Sequence, residues 1–360
     1  MKFMANNISM LHADRRQILL ALPKVDLHRH LEGCLRLETQ QELGRRQGLE
    51  LPLDDPERLL PHVAFQEGEP RTLNNFLAKF RADWYRTFAD IQRVVREALE
   101  DASRENVAYL ELRFSPEHFH RHTGLKIPDI IKAICEAGLQ VAEDEELLVR
   151  FLLTFARERY DRALWNEALD AALANYHLGV RGVDLAGDEF SHPNERFAEF
   201  FRRVRDTRQL HVTIHAGEGT SAASVKSAVE ILGAERIGHG VSAAEDAAVM
   251  EMLARQKVAL ELCPISNYQT GCVDDLSHHP LPELEKRAVP VTINSDDPSI
   301  HMADLTDNHD VALSRWGYGL EDLLRLQLQA VEFSFLEAEL KPSLAEHIRQ
   351  GYSDALTEEG

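Results

Sequence analysis

Four separated segments carry residue types that could hold one metal ion and move protons beside it. They are His28-Arg29-His30, His215-Ala216-Gly217-Glu218, Gly238-His239-Gly240 and Asn294-Ser295-Asp296-Asp297-Pro298. Histidines two apart on a strand project from the same face, so His28 and His30 can grip one ion together. Three neutral imidazoles and one carboxylate suit Zn2+, which takes nitrogen and oxygen ligands at about 2.0–2.2 Å. An open position on such an ion holds a water whose pKa falls to about 7, so hydroxide is available at neutral pH. Glu218, in a turn leading into a helix, is placed to give or take a proton beside the metal. His239, between two glycines, can orient the water, and Asp297 can hold its other side or accept from a substrate. Two adjacent carboxylates repel unless one faces the cation, which separates the roles of Asp296 and Asp297. A single histidine of this set reads equally well as a hydrogen-bonded core residue. Together the segments point to a hydrolytic metal enzyme.

The elements that must position these groups alternate along the chain. Strand-like runs occur at Val25–His28, Ala108–Phe114, Leu148–Phe155, Val180–Leu185, Val212–His215, Arg236–Gly238, Val258–Leu262 and Val289–Asn294. Most are short and continuously apolar, as parallel strands buried on both faces are. Helical spacing separates them, as in Phe88, Ile91, Val95, Ala98, Leu99 and Ala102, and again in Val225, Ala228, Val229 and Leu232. Thr220 or Ser221 would cap the second of these helices and Gly233 would stop it. Eight β/α repeats predict closure into a (β/α)8 TIM barrel, one domain over residues 1–360 with its core at about 23–340. The long connection from Leu35 to Asn106, with a helix expected over Thr72–Phe88, reads as a lid over the barrel mouth. Active sites of such barrels lie at the C-terminal ends of the strands, where all four segments fall.

Composition narrows the partners. The 360 residues are 44% hydrophobic and 28% charged, ordinary for a soluble globular protein. A net charge of −20 disfavours a phosphate backbone, so nucleic acid is not expected as a partner. No apolar stretch reaches the roughly 20 residues a membrane helix needs. Met1–Met10 does not read as a signal peptide, and Cys34, Cys135, Cys263 and Cys272 show no CxxC pairing. Reduced thiols in a cytoplasmic protein are expected, and the acidic tail Asp354–Gly360 is expected to fray.

Other polar residues carry blander expectations. His118, His120 and His122 read as a solvated loop, as do His278 and His279; His301 either lines the site or is exposed. Arg29 points away from His28 and His30, which suits packing or an ion pair. Ser266 and Asn267 either support the metal ligands or cap a turn. Gly217, Gly219, Gly238 and Gly240 suit tight turns where backbone approaches a ligand.

Seven motifs in order resemble the adenosine deaminase family from about Pro23 to Ala338. They are Pro23-Lys24-Val25-Asp26-Leu27-His28-Arg29-His30-Leu31-Glu32-Gly33, Phe76-Leu77-Ala78-Lys79-Phe80, Asp184-Leu185-Ala186-Gly187-Asp188-Glu189, His215-Ala216-Gly217-Glu218, Ile237-Gly238-His239-Gly240, Cys263-Pro264-Ile265-Ser266-Asn267-Tyr268-Gln269-Thr270-Gly271 and Asn294-Ser295-Asp296-Asp297-Pro298. The resemblance implies one zinc per chain, bound by His28, His30, His215 and Asp296. It implies hydrolytic deamination of adenosine, with 2′-deoxyadenosine, to inosine and ammonia in purine salvage, by hydroxide attack at purine C6. Glu218 would share a proton with N1, His239 would steer the hydroxide and assist its deprotonation, and Asp297 would meet the water and N7. For substrate binding it implies His30, Glu32, Asp297 and the Gly187 backbone facing N3, with Leu73, Phe76 and Leu77 covering the site. The family's familiar members carry Asp where Glu32 stands, facing the ribose 5′-hydroxyl; Glu keeps the acceptor and opposes a 5′-phosphate. Leu-Glu-Gly also occurs in the adenine-deaminating branch, so adenine, an N6-substituted purine or an aminofutalosine-like nucleoside is the alternative substrate. Two other classes compete: a two-metal hydrolase bridged by a modified Lys, and a non-catalytic binding protein of the same fold. No Lys stands at an obvious rim position, and an intact Glu218, His239 and Asp297 oppose loss of function. The sequence leaves the oligomeric state open.

Overall fold

A computed structural model describes residues 15–358. The Met1–Met10 segment and the last two residues of the acidic tail therefore lie outside the described residues. Among the described residues eight parallel strands form one sheet in sequence order. They are β1 (Lys24–His30), β2 (Val107–Phe114), β3 (Leu148–Ala156), β4 (Val180–Ala186), β5 (His211–Ala216), β6 (Arg236–His239), β7 (Ala259–Leu262) and β8 (Val291–Ile293). The barrel closes just past β8, where Asp296 N–H donates to His28 O at 2.8 Å and His30 N–H donates to Asp296 O at 2.9 Å. The backbone bonds that shut the cylinder thus set Asp296 beside both histidines of β1. Every residue of β1, β6, β7 and β8 is buried, as in parallel strands covered on both faces.

The interior is less apolar than those runs suggest. Glu111, Arg113, Asp184, Arg236 and Glu261 are all buried in the barrel. Arg236 Nε donates to Glu261 Oε1 at 2.6 Å and its NH2 reaches Glu111. Arg113 NH2 donates to Glu261 Oε2 at 2.7 Å, and NH1 lies 3.3 Å from Asp184 Oδ2. Each buried charge therefore faces an opposite one, as a low-dielectric interior demands.

The connection from β1 to β2 holds helices at Leu37–Gln47, Pro56–Val63, Leu73–Leu77 and Phe88–Arg104. The expected Thr72–Phe88 helix is corrected: it stops after Leu77, and an irregular segment follows. Thr87 and Asp90 explain the break, because each side chain accepts from the other's backbone N–H in a capping box that starts a new helix at Phe88. That helix buries Ile91, Val95, Ala98, Leu99 and Ala102 of the predicted stripe and adds Val94, while Phe88 at its start is only half-buried.

At Ala222–Ser227 the predicted helix begins after Ser221, widens into a π-turn over Ala228–Leu232 and ends at Gly233 with φ +76°. Ser221 holds the capping position, but its side chain makes no capping hydrogen bond. The final helix, Lys341–Glu358, buries Leu344, Ile348 and Tyr352 in the common core, so Asp354 is helical rather than frayed. Among the described residues no helix is long and apolar enough to cross a membrane. Cys34, Cys135, Cys263 and Cys272 are free thiols.

Candidate metal and acid–base site

His28, His30, His215 and Asp296 converge at the C-terminal rim, with their donor atoms all within 4.8 Å of one another. His30 Nε2 stands 3.3 Å from His28 Nε2 and 3.2 Å from His215 Nε2. Asp296 Oδ1 is 3.4 Å from His28 Nε2 and 3.6 Å from His30 Nε2. Two nitrogens bound to zinc at about 2.0–2.1 Å and tetrahedral angles lie about 3.3 Å apart, so these spacings match the edges of a zinc coordination shell. The outer nitrogens settle the proton positions. His28 Nδ1 donates to Glu261 Oε2 at 2.7 Å and His215 Nδ1 donates to Asp184 Oδ1 at 2.9 Å. Each neutral ring then turns an Nε2 lone pair inward, and such lone pairs repel unless a cation sits between them. The donor set fits zinc.

Glu261 and Asp184 were not singled out as functional in the sequence, nor was Arg113, which clamps both. Glu111 and Arg113 alternate with apolar residues on β2, and Glu261 interrupts the apolar run of β7. A charged residue inside a strand buried on both faces was the available signal.

His239 and Asp296 adopt left-handed backbone, with φ +60° and +66°. Non-glycine residues hold such conformations at a cost of about 1–3 kcal/mol, which the surrounding structure must offset. His239 Nε2 approaches Glu218 Oε2 at 3.5 Å and Asp296 Oδ2 at 4.0 Å. Its other nitrogen faces a chain of fixed dipoles. Leu281 N–H donates to His279 Nδ1 at 3.2 Å, leaving the His279 proton on Nε2, which donates to Asn267 Oδ1 at 3.2 Å. Cys263 N–H also donates to Asn267 Oδ1, at 3.3 Å. The Asn267 amide therefore turns its NH2 to His239 Nδ1 at 3.0 Å. Nδ1 accepts, so the neutral ring carries its proton on Nε2, facing the metal site.

Glu189 fixes Glu218. Its carboxylate accepts from the N–H groups of Gly217, Glu218 and Gly219 at 2.8–2.9 Å and from Ser224 Oγ at 2.5 Å. It satisfies the N–H groups of the turn before the helix that Ser221 leaves uncapped. Burial, then the Asp296 and Glu189 carboxylates, push the Glu218 carboxyl well above the usual range. Burial and Asp296 do the same to Asp297. Glu218 Oε1 and Asp297 Oδ1 are buried without hydrogen-bond partners. Gly33 is required here, since a Cβ at that position would overlap the Asp297 carboxylate.

These groups open into a cavity of about 380 Å³ lined by His30, Glu32, Leu73, Phe76, Leu77, Gly187, His215, Glu218, His239, Asp296 and Asp297. All the sequence-derived site residues except the fully buried His28 therefore border one space, with Leu73, Phe76 and Leu77 as its apolar side. Gly187 has φ +106°, and a Cβ there would press on the Glu158 carboxylate. Glu32 Oε1 accepts from Ser115 N–H at 2.6 Å, and burial raises its pKa to about 7.

Two histidines depart from their solvated reading, and His301 is buried beside the site rather than exposed. His118 sits buried on the helix Pro116–Thr123 and lines the cavity, whereas His122 is exposed. His279 is buried against Trp316, with ring centroids 5.3 Å apart, while His278 is exposed. His301 is buried, stacks on Phe76 at 4.9 Å, and places Nε2 3.4 Å from Asp296 Oδ2. Arg29 keeps the expected ion-pair role, to Asp26 and Glu105 at 2.9 Å each.

Residues 23–351 match the family model described as adenosine deaminase. The adenosine deaminase of Escherichia coli is 37% identical over 331 residues, covering 91% of this chain and 98% of that one. Among solved structures, adenine deaminase from Arthrobacter aurescens is similar with TM-score 0.83 and 28% identity, over 91% of this chain and 98% of that one. The N6-methyl-AMP deaminase from Arabidopsis thaliana is similar with TM-score 0.81 and 25% identity, over 93% and 98%.

Proposed function

Since the chain belongs to the adenosine deaminase family, we propose that its site hydrolyses the 6-amino group of adenosine and 2′-deoxyadenosine, giving inosine or its deoxy form and ammonia. The observation that carries this reading is the meeting of four candidate metal-ligand side chains with two acid groups, each keeping one partnerless buried oxygen, at one cavity. His28, His30, His215 and Asp296 would hold one zinc ion. When bound, zinc supplies hydroxide at neutral pH by lowering the pKa of water to about 7.

The chain's own groups account for the rest. Purine N1 and N7 offer lone pairs, so each needs a donor. Glu218 Oε1 and Asp297 Oδ1 are the buried orphans available to them, and burial pushes both carboxyls up, toward the protonated form that can donate. Glu218 gives its proton to N1 as oxygen bonds to C6; C6 becomes tetrahedral and the ring charge is quenched. The proton of the added hydroxyl then passes to the amino group, the C6–N6 bond breaks, ammonia leaves, and the C6 carbonyl with N1–H of the inosine base remains. His239, with its proton on Nε2, donates to the attacking oxygen and holds it in line with C6. The Gly187 backbone faces N3, and Glu32 accepts from the ribose 5′-hydroxyl. Leu73, Phe76 and Leu77 exclude bulk water, which strengthens each of these polar contacts.

The test is a substrate panel on purified protein: adenosine, 2′-deoxyadenosine, adenine and N6-methyl-AMP, followed by ammonia release, with metal content measured on the same sample. Adenosine fastest with about one zinc per chain is expected. Adenine turned over as fast as adenosine would sink the nucleoside assignment.

A further inference from the structure

The barrel has one seam that its backbone hardly sews. Among the described residues β8 and β1 share a single isolated bridge, Arg29 with Asp296, whereas the other neighbouring strands are joined by ladders. Side chains fill the gap, because buried N–H groups must find partners. Leu27 N–H of β1 donates to Asn294 Oδ1 at 3.0 Å, and Val25 N–H donates to Gln327 Oε1 of the helix Leu320–Phe333 at 2.6 Å. From the other edge, Ser295 N–H donates to Asp26 Oδ1 at 3.4 Å and Ser295 Oγ donates to Asp26 Oδ2 at 2.6 Å. Arg29 Nε steadies that pair, 2.9 Å from Asp26 Oδ2 and 3.0 Å from Ser295 Oγ. Asp26, Asn294 and Ser295 are all buried, so open solvent does not compete for these bonds. The next residue, Asp296, has φ +66°, and a non-glycine residue stays there only when its surroundings over-determine it. The candidate metal ligands straddle this same seam, with His28 and His30 on β1 and Asp296 on the opposite edge.

We propose that Asp26 and Ser295 are positioning residues for the metal site, a clasp that fixes Asp296 before any ion arrives. The inference rests on the zinc reading above. A ligand carboxylate already in place leaves no ordering cost for the ion to offset. Without the clasp, the turn at Asp296 is free to relax out of its strained conformation and swing the carboxylate away from His28 and His30. Cutting the clasp at Ser295 does not strand a buried charge. Asp26 keeps Arg29 Nε at 2.9 Å and His28 N–H at 3.2 Å. The seam also keeps its fold, because the Asn294 amide is tied to Leu262 O and Thr292 Oγ1 as well as to Leu27.

The experiment titrates zinc into the metal-free full chain against a competing chelator, for the wild type, Ser295→Ala, Ser295→Thr and Thr207→Val. Thr207→Val controls for stability, since it loses a hydroxyl bond, from Oγ1 to Val204 O at 2.6 Å, at the end of the helix Ala198–Asp206. Ser295→Ala should weaken zinc about ten- to a hundredfold, the usual effect of losing an outer support of a metal ligand. Thr207→Val should leave zinc affinity unchanged, and Ser295→Thr, which keeps the hydroxyl, should stay near the wild type. Hydrogen exchange gives a second readout that needs no ion. In the metal-free wild type, peptides covering residues 25–30 and 291–297 should be protected; in Ser295→Ala the second should exchange about three- to tenfold faster, the loss of one hydrogen bond. Equal zinc affinity in the wild type and Ser295→Ala, equal weakening in Thr207→Val, or Ser295→Thr as weak as Ser295→Ala would each overturn the proposal. So would a metal-free wild type whose seam exchanges freely until zinc is added, because the ion would then be the clasp. If the wild type binds no zinc, the metal reading fails instead, and the exchange comparison still decides the clasp.

Discussion

Replacing Asn267 with Asp changes one atom yet should reverse the tautomer of His239. The amide now accepts from Cys263 N–H and His279 Nε2–H and donates to His239 Nδ1. A carboxylate keeps the first two bonds, so the fold of the segment is retained, but it cannot donate. Only a proton on His239 Nδ1 satisfies it. The neutral ring then presents a bare Nε2 to the site, 3.5 Å from Glu218 Oε2 and 4.0 Å from Asp296 Oδ2. The alternative is a doubly protonated ring, held charged by the new carboxylate. In the first state the attacking oxygen loses its donor; in the second the ring competes for Asp296. Fixing a catalytic histidine in the wrong tautomer costs about 10⁴-fold in the serine-protease case. Here the histidine orients rather than accepts the proton, so the expected loss is about 10²–10³-fold in kcat, roughly 3–4 kcal/mol, with KM little changed. Steady-state kinetics at matched zinc content gives the rate. Ring ¹⁵N shifts, assigned by comparison with His239→Gln, give the tautomer: Nε2–H in the wild type, Nδ1–H in the variant. Full kcat in the variant, or Nδ1–H already present in the wild type, would refute the reasoning.

Three other perturbations follow from the geometry. Glu218→Gln keeps the shape and removes the proton that N1 needs, so kcat should fall about 10²–10⁴-fold at unchanged zinc content; full activity in the loaded variant removes the proton-transfer role. Gly33→Ala should place its Cβ in the Asp297 carboxylate and cost about 1–3 kcal/mol of stability as overpacking and on the order of 10²-fold in kcat/KM from the displaced carboxyl, read by thermal unfolding and by kinetics. Glu32 has its pKa raised to about 7 by burial, against about 4.3 in the unfolded chain. The folded state therefore binds more protons between these values, and this carboxyl destabilises the protein increasingly from about pH 4 to 7 and constantly above. Glu32→Gln should remove up to about 3 kcal/mol of that penalty at pH 8 and almost none at pH 4; equal gains at both pH values in urea unfolding would contradict the shift.

The barrel was legible because its strands are buried on both faces and end in chemistry. β5 reads as apolar residues followed by His215, and β6 as Ile237-Gly238-His239. What stayed hidden depends on partners distant in the chain. His118 and His279 look solvated in their own polar neighbourhoods, and His301 reads either way; they are buried by Tyr85 and Phe119, by Trp316 and by Phe76 respectively. The lid was legible as a connection too long for a turn, but its helix was overrun because the capping pair Thr87 and Asp90 was not read as a fresh start.

The charged interior of the barrel was hidden for a further reason: its logic runs from the site inward. Zinc needs neutral imidazoles with inward lone pairs, which needs carboxylates on their outer nitrogens, here Glu261 and Asp184. Carboxylates buried that deeply need a cation, and Arg113 reaches both. Glu261 in turn takes a second bond from Arg236, whose other partner is Glu111. Residues that look like errors in apolar strands are therefore the alternating shells of one electrostatic column beneath the metal site. A strand pattern tuned to burial alone passes over it, because each charge is tolerated only through the next.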